Sequence, residues 1–195
     1  RLVQQVIDAV TAARSAGFQA GSGAIKLNAV IQRGANDDQL LPLAALARHH
    51  GLDLRLIEFM DVGNRNGWAL EQVMPAAEMV ERIQARWPLQ PMGRDAGATA
   101  RRWRFVDGRG GIGVIASITE PFCGDCNRLR VTADGQAFTC LFAAQGTDLK
   151  PVLNNAEDLQ QRIVDLWRHR DDRYSEERHG DAVRPPHAEM AYLGG

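Results

Sequence analysis

Three cysteines, Cys123, Cys126 and Cys140, are the only thiols in this sequence, and all fall within residues 121–142, PFCGDCNRLRVTADGQAFTCLF. Cys123 and Cys126 are spaced Cys-x-x-Cys, which lets two thiolates reach one metal centre from a single tight turn. Asp134-Gly135 is a hairpin dipeptide, and the flanking residues 128–133 and 136–142 alternate as two strands. A two-residue loop pairs Ala133 with Gln136 and Leu129 with Cys140, which returns Cys140 to the neighbourhood of Cys126. Three converging thiolates fit a [4Fe-4S] cluster with one iron open to a ligand. They also fit a zinc ion completed by an imidazole or a water. Inert thiols are a third reading, and the odd cysteine count argues against a disulfide framework.

Arg128 and Arg130 follow Cys126 closely. Two guanidiniums beside a metal centre suit a bidentate anion, phosphate above all, and the alternative is a solvated charged strand face. The two-residue register turns both arginines away from Cys140, and a one-residue bulge reverses that. The five histidines are His49, His50, His169, His179 and His187. None stands at a recognisable ligand spacing from Cys126 or Cys140, which weighs against zinc.

The elements that must carry these residues can be read in order. Val3, Val6, Ile7 and Val10 recur along one face of a helix over 2–16. Residues 25–31, IKLNAVI, read as a buried strand carrying Lys26, whose charge either snorkels to solvent or meets an anion. Asn36 has the look of an N-cap for a helix that stops at Gly51. Residues 54–60, LRLIEFM, form a second strand, and the alternation of helix and strand predicts a parallel sheet with crossover helices. Met60 closes that strand, and the loop after it, 61–68, lies where parallel sheets carry ligands. Arg55, Glu58 and Asp61 receive no assigned role.

A helix from Pro75 to about Trp87 follows. Residues 88–100, rich in Pro, Gly and Ala, carry the weakest signal for structure and are expected to mark a boundary between regions 1–90 and 91–195. Residues 101–106 and 112–118 read as an antiparallel hairpin that leads into the cysteine stretch. Asn155 caps a last helix. Residues 170–185 are highly charged and read as an exposed surface segment.

Composition sets limits. The sequence has 195 residues, 45% of them hydrophobic, with a net charge of −1. That supports a real core and gives no overall electrostatic case for nucleic acid or a membrane surface. No apolar run approaches a membrane span. No signal peptide is visible, and free thiols suit a cytoplasmic setting. The sequence enters a helical pattern at Arg1, so it reads as the C-terminal piece of a longer protein.

The run FCGDCNRLRVTADG, followed by the CLF that contains Cys140, resembles the C-terminal cluster motif of the GTP 3',8-cyclase family. These radical S-adenosylmethionine lyases convert GTP to 3',8-cyclo-7,8-dihydro-GTP at the start of molybdenum cofactor biosynthesis. The resemblance implies an α/β fold: the C-terminal part of an incomplete, TIM-like barrel, then a smaller α+β region with hairpins carrying the iron–sulfur site. It implies a [4Fe-4S] cluster on Cys123, Cys126 and Cys140. It places GTP on Lys26, Arg128, the backbone of Leu129 and Arg130, and S-adenosylmethionine on Met60. The double-glycine tail, Gly194-Gly195, would reach the active site. The implied pathway neighbour is cyclic pyranopterin monophosphate synthase, a homodimer is allowed, and no nucleic acid or membrane partner is expected. The Cys-x-x-x-Cys-x-x-Cys motif of the family's other cluster is absent, so these residues alone are expected to be inactive. Two other classes stay open: a three-thiolate zinc interaction module, and another radical S-adenosylmethionine enzyme with an auxiliary cluster.

Overall fold

A computed structural model describes residues 2–19, 24–178 and 187–193. The chain sorts into two units. The first comprises Arg1–Phe59 with Glu71–Glu120, and the second Met60–Leu70 with Pro121–Gly195.

The first unit is mixed α/β. Its elements are α1 (Leu2–Ser15), β1 (Lys26–Ile31), α2 (Leu40–His49), β2 (Asp53–Glu58), α3 (Ala76–Gln84), β3 (Leu89–Gly93), β4 (Arg101–Phe105) and β5 (Gly111–Ile115). They give one five-stranded sheet in the order β1-β2-β5-β4-β3. β1, β2 and β5 run parallel, whereas β4 and β3 complete the sheet antiparallel. The alternating helices and strands therefore produce the expected parallel pair, and residues 101–115 the expected hairpin.

Period-two burial explains the layering. Leu54 and Leu56 of β2, Ile112 and Val114 of β5, and Phe105 of β4 point to one side, where α2 and α3 supply Leu40, Ala44, Ala47, Met79 and Ile83. Each large side chain so buried contributes roughly 1.5–3 kcal/mol. Gly51, at φ +62°, ends α2 in a conformation open to glycine and costly for other residues.

The structure corrects one expectation and adds two features. Asn36 makes no side-chain cap; its Oδ1 accepts from the Gln32 N–H at 2.8 Å, and its Nδ2 donates to the Val30 carbonyl at 2.9 Å. Those bonds tie off the turn after β1, and a short 3-10 turn at Asp37–Gln39 opens α2 instead. Residues 88–100 are not featureless, because Leu89–Gly93 forms an edge strand. Pro91 is tolerated there because an edge residue can do without its N–H. On α1, Val10 is buried while Val3 and Val6 stay exposed.

The second unit holds an antiparallel sheet of β6 (Arg130–Val131), β7 (Gln136–Phe138) and β8 (Thr147–Asp148). Helix α4 (Ala156–Arg168) begins as expected at Asn155, whose side chain accepts from the N–H groups of Glu157 and Asp158. Among the described residues no helix is long and apolar enough to cross a membrane.

Candidate functional site

Cys123 opens a short 3-10 turn, Cys123–Asp125, and the Cys126 N–H bonds back to the Cys123 carbonyl at 3.2 Å. Both thiols thus project from one tight loop. All three cysteines are free and half-buried.

The hairpin that returns Cys140 has a different register from the one the Asp-Gly dipeptide predicts. Arg130 pairs with Phe138 and Val131 with Ala137. Thr132 and Gln136 close the loop, the Thr132 N–H donating to the Gln136 carbonyl at 2.9 Å. The loop is therefore Ala133-Asp134-Gly135, with Gly135 at φ +82°. A three-residue loop ending in a left-handed glycine is the common alternative to a two-residue turn. The shift of one residue reverses the faces. The ladder ends at the Arg130–Phe138 pair, whose members share a face, and the Arg130 guanidinium lies near enough to the Cys126 and Cys140 sulfurs to feel their charge.

The electrostatics agree with that placement. The Arg128 guanidinium contacts the Cys126 sulfur through Nε at 3.3 Å and Nη2 at 3.0 Å. Burial pushes the Cys126 thiol up, but the hydrogen bonds and charge of Arg128, aided by Arg170, outweigh it and hold the thiol below its ordinary range. Cys140 goes the other way: burial raises it, the Phe142 N–H at 3.4 Å offsets part of this, and Asp172 and Cys123 add to the rise. Burial and the neighbouring Arg128 charge lower the Arg130 guanidinium, while the Cys126 and Cys140 sulfurs counter them.

The segment read as an exposed charged surface is in part a frame for this loop. Arg170 is nearly buried, with 12% side-chain exposure, and donates to the carbonyls of both Cys123 and Cys126 at 3.3 Å. Glu176 accepts from the Gly124 N–H at 3.1 Å. Tyr174 stacks on Phe142 with ring centres 4.5 Å apart, and its hydroxyl donates to Asp61 at 2.7 Å. Arg178 grips the same carboxylate at 2.7 and 3.2 Å. The charges are buried because they are paired. Local sequence reveals the charges and not the partners.

Among the described residues, no three His, Cys, Asp or Glu side chains are gathered closely enough to hold a metal ion. The thiols form a neighbourhood without closing on one point. The chemistry of the donor set nevertheless fits a thiolate-held cluster: free sulfurs, cations beside them, and N–H donors aimed at Cys126 and Cys140. His187 packs on the Cys140 segment, but its Nδ1 faces the Phe142 carbonyl at 2.7 Å and its Nε2 the Tyr174 hydroxyl at 3.2 Å. Both ring nitrogens are therefore engaged away from the sulfurs.

In the first unit, Lys26 is exposed on β1, in line with Asp53 of β2, and Asn28 is in line with Arg55. Lys26, Asn28 and Arg55 share the sheet face opposite the core, and Gly113 leaves β5 bare beside Arg55. Neither the Lys26 nor the Arg55 side chain pairs with a described residue. Glu58 points to the other face, fully buried, with its carboxylate taken up by the N–H groups of Ala76, Ile118 and Thr119. Met60 belongs to the second unit and is half-buried; its carbonyl accepts from Asn66 at 2.8 Å. Leu129, between the two arginines, is half-buried. Gly194, Gly195, His179 and the loop at 20–23 lie outside the described residues.

A GTP 3',8-cyclase of Synechococcus sp. (strain WH7803) is 68% identical over 195 residues. One from Synechococcus sp. (strain CC9605) is 70% identical over the same length. A GTP 3',8-cyclase of Xanthomonas axonopodis pv. citri (strain 306) is 48% identical over 195 residues, 99% of this chain and 57% of that protein. All of this chain matches the two Synechococcus proteins, and it spans 56% of their length. Residues 52–176, more than half of the chain and including all three cysteines, match the model of one family. The chain belongs to the Molybdenum Cofactor Synthesis C family.

Proposed function

We propose that this chain is the C-terminal part of a GTP 3',8-cyclase and carries the site that holds GTP. One observation carries the reading: Arg128 rests on the Cys126 sulfur at 3.0 Å, with the Arg130 guanidinium close to the Cys126 and Cys140 sulfurs. In this reading, residues 1–90 belong to a radical S-adenosylmethionine barrel, and residues 91–195 hold the cluster and the GTP.

Cys123, Cys126 and Cys140 would hold a [4Fe-4S] cluster, which when bound supplies an iron free of protein thiolate for a purine nitrogen. The remaining tasks fall to this chain's residues. Arg128, through its contacts to the sulfur, lowers the hold of Cys126 on its proton. Arg130, held half-buried beside the sulfurs, offers a fixed fork of donors to phosphate oxygens. Leu129 contributes backbone between them. Lys26 brings a further cation to the polyanionic nucleotide, and Met60 contacts S-adenosylmethionine. Fixed cations of this kind need no reorganisation when GTP arrives. The second cluster and the cleavage of S-adenosylmethionine belong to the rest of the full-length protein. Its product would pass to cyclic pyranopterin monophosphate synthase.

The test uses the full-length protein, purified without oxygen and reconstituted with iron and sulfide. GTP is expected to perturb the electron paramagnetic resonance of the cluster that Cys140→Ser removes. Arg130→Ala should weaken GTP binding about tenfold or more, since charge-assisted bonds contribute a few kcal/mol. A colourless zinc protein, or a cluster spectrum indifferent to GTP, overturns the proposal.

A further inference from the structure

The three thiols come from two separate stretches of chain, the turn that holds Cys123 and Cys126 and the bend after β7 that holds Cys140. Something must set the distance between those stretches. The hairpin ladder ends at the Arg130–Phe138 pair, short of either cysteine. The helix after them supplies what the ladder lacks.

Arg170 follows the C-terminus of α4 and reaches the first stretch. Its Nη1 bonds the carbonyls of Cys123 and Cys126, each at 3.3 Å. Asp172 reaches the second stretch, where its carboxylate accepts from the hydroxyl of Thr139, the residue before Cys140. The two are joined to each other: Arg170 Nη2 donates to the Asp172 carbonyl at 3.1 Å, and the side chains approach to 3.7 Å. The Arg170 guanidinium also lies over the Trp167 ring at 5.3 Å, which anchors it to α4. A planar guanidinium serves here because it can hold several acceptors in fixed directions, as an ammonium cannot.

We infer that Arg170 and Asp172 form one clip that sets the separation of the Cys-x-x-Cys turn from Cys140, and so positions all three thiolates for a shared cluster. This rests on the cluster reading proposed above. Neither residue hydrogen-bonds a sulfur of the described cysteines; both act through the backbone and through Thr139. They are positioning residues, and outer contacts of this kind commonly change metal affinity by about 10- to 100-fold.

The experiment uses the full-length protein, with Arg170→Ala, Asp172→Ala, Asp172→Asn and Thr139→Val compared with wild type and Cys140→Ser. Two readouts are taken. One is the resonance signature and iron content of the cluster that Cys140→Ser removes. The other, on metal-free protein, is the yield of a bifunctional thiol reagent bridging Cys123 to Cys140, mapped by mass spectrometry. Arg170→Ala and Asp172→Ala should lower the bridge yield and cut iron retention about tenfold, and Asp172→Asn, which keeps an acceptor for Thr139, should restore much of both. Unchanged bridge yield and spectrum in both alanine variants overturn the clip. If either fails to fold by circular dichroism, Thr139→Val decides, because it keeps the side-chain shape: a lowered bridge yield supports the clip, and a wild-type yield and spectrum overturn it. If wild type carries no more iron than Cys140→Ser, the cluster reading fails, while the bridge yields still judge the clip.

Discussion

Arg128 and Cys126 sit two residues apart and meet through two contacts, Nε and Nη2 at 3.3 and 3.0 Å from the sulfur. Among the described residues, the Cys140 sulfur accepts only from the Phe142 N–H, at 3.4 Å, and its surroundings are deeper. The two thiols should therefore ionise in opposite directions from an ordinary cysteine. In a pH series of iodoacetamide labelling on metal-free protein, Cys126 should label with a midpoint below the usual thiol range and Cys140 above it. Arg128→Gln should raise the Cys126 midpoint. Because the folded-state value of Cys126 is depressed, its contribution to stability is present above the unfolded-state pKa and is lost as pH falls through the folded one. Equal midpoints for the two cysteines would remove the basis for this assignment.

Glu58 is fully buried and accepts from the N–H groups of Ala76, Ile118 and Thr119, besides the Thr119 hydroxyl. Glu58→Gln keeps the shape but turns an NH2 toward backbone donors. We expect a loss of about 3 kcal/mol, the scale for breaking a buried charged network. Urea denaturation of the full-length protein measures it, and a loss below about 1 kcal/mol would show that solvent or rearrangement satisfies those amides.

Gly135 carries the hairpin register through its φ of +82°. A Cβ there would also approach Lys150 Cγ at 3.1 Å. Gly135→Ala should cost about 1–2 kcal/mol, and Gly135→Asn less, because asparagine tolerates the left-handed region better. Equal stability of Gly135→Ala and wild type in a denaturant titration would count against the left-handed conformation at this position.

Asp61 and Arg178 form a buried pair, with 2% and 9% side-chain exposure. Asp61→Asn removes a counter-charge from the Arg178 guanidinium in an enclosed setting. The expected cost is about 3–5 kcal/mol, read as a shift of the unfolding midpoint. An unchanged midpoint would mean that water already reaches the pair.

Much of the fold was legible because its signals are local. The apolar runs at 25–31 and 54–60 and the turn at 107–111 lead directly to β1, β2 and the β4–β5 hairpin. The cysteine spacing marked the site. The hairpin register was not legible, because Asp-Gly serves both a two-residue loop and a three-residue loop ending in glycine; the choice is made where Thr132 and Gln136 close. β3 was hidden by Pro91, which looks like a strand breaker until the strand is known to be an edge. Arg170, Asp172 and Arg178 were hidden for another reason. Charge patterns distinguish solvated from buried segments only when the partners are known, and those partners lie far away in sequence.

The pairing of Asp53 with Gly111 has a consequence for biosynthesis. β2 acquires its second neighbour only after the whole intervening stretch has left the ribosome, which at ordinary translation speed takes several seconds. Throughout that wait the nascent β1–β2 ribbon has no strand beside Leu54 and Leu56. A chaperone that shields young hydrophobic ribbons would find its most demanding client interval there, and synonymous codons that slow translation between Glu58 and Gly111 would lengthen it.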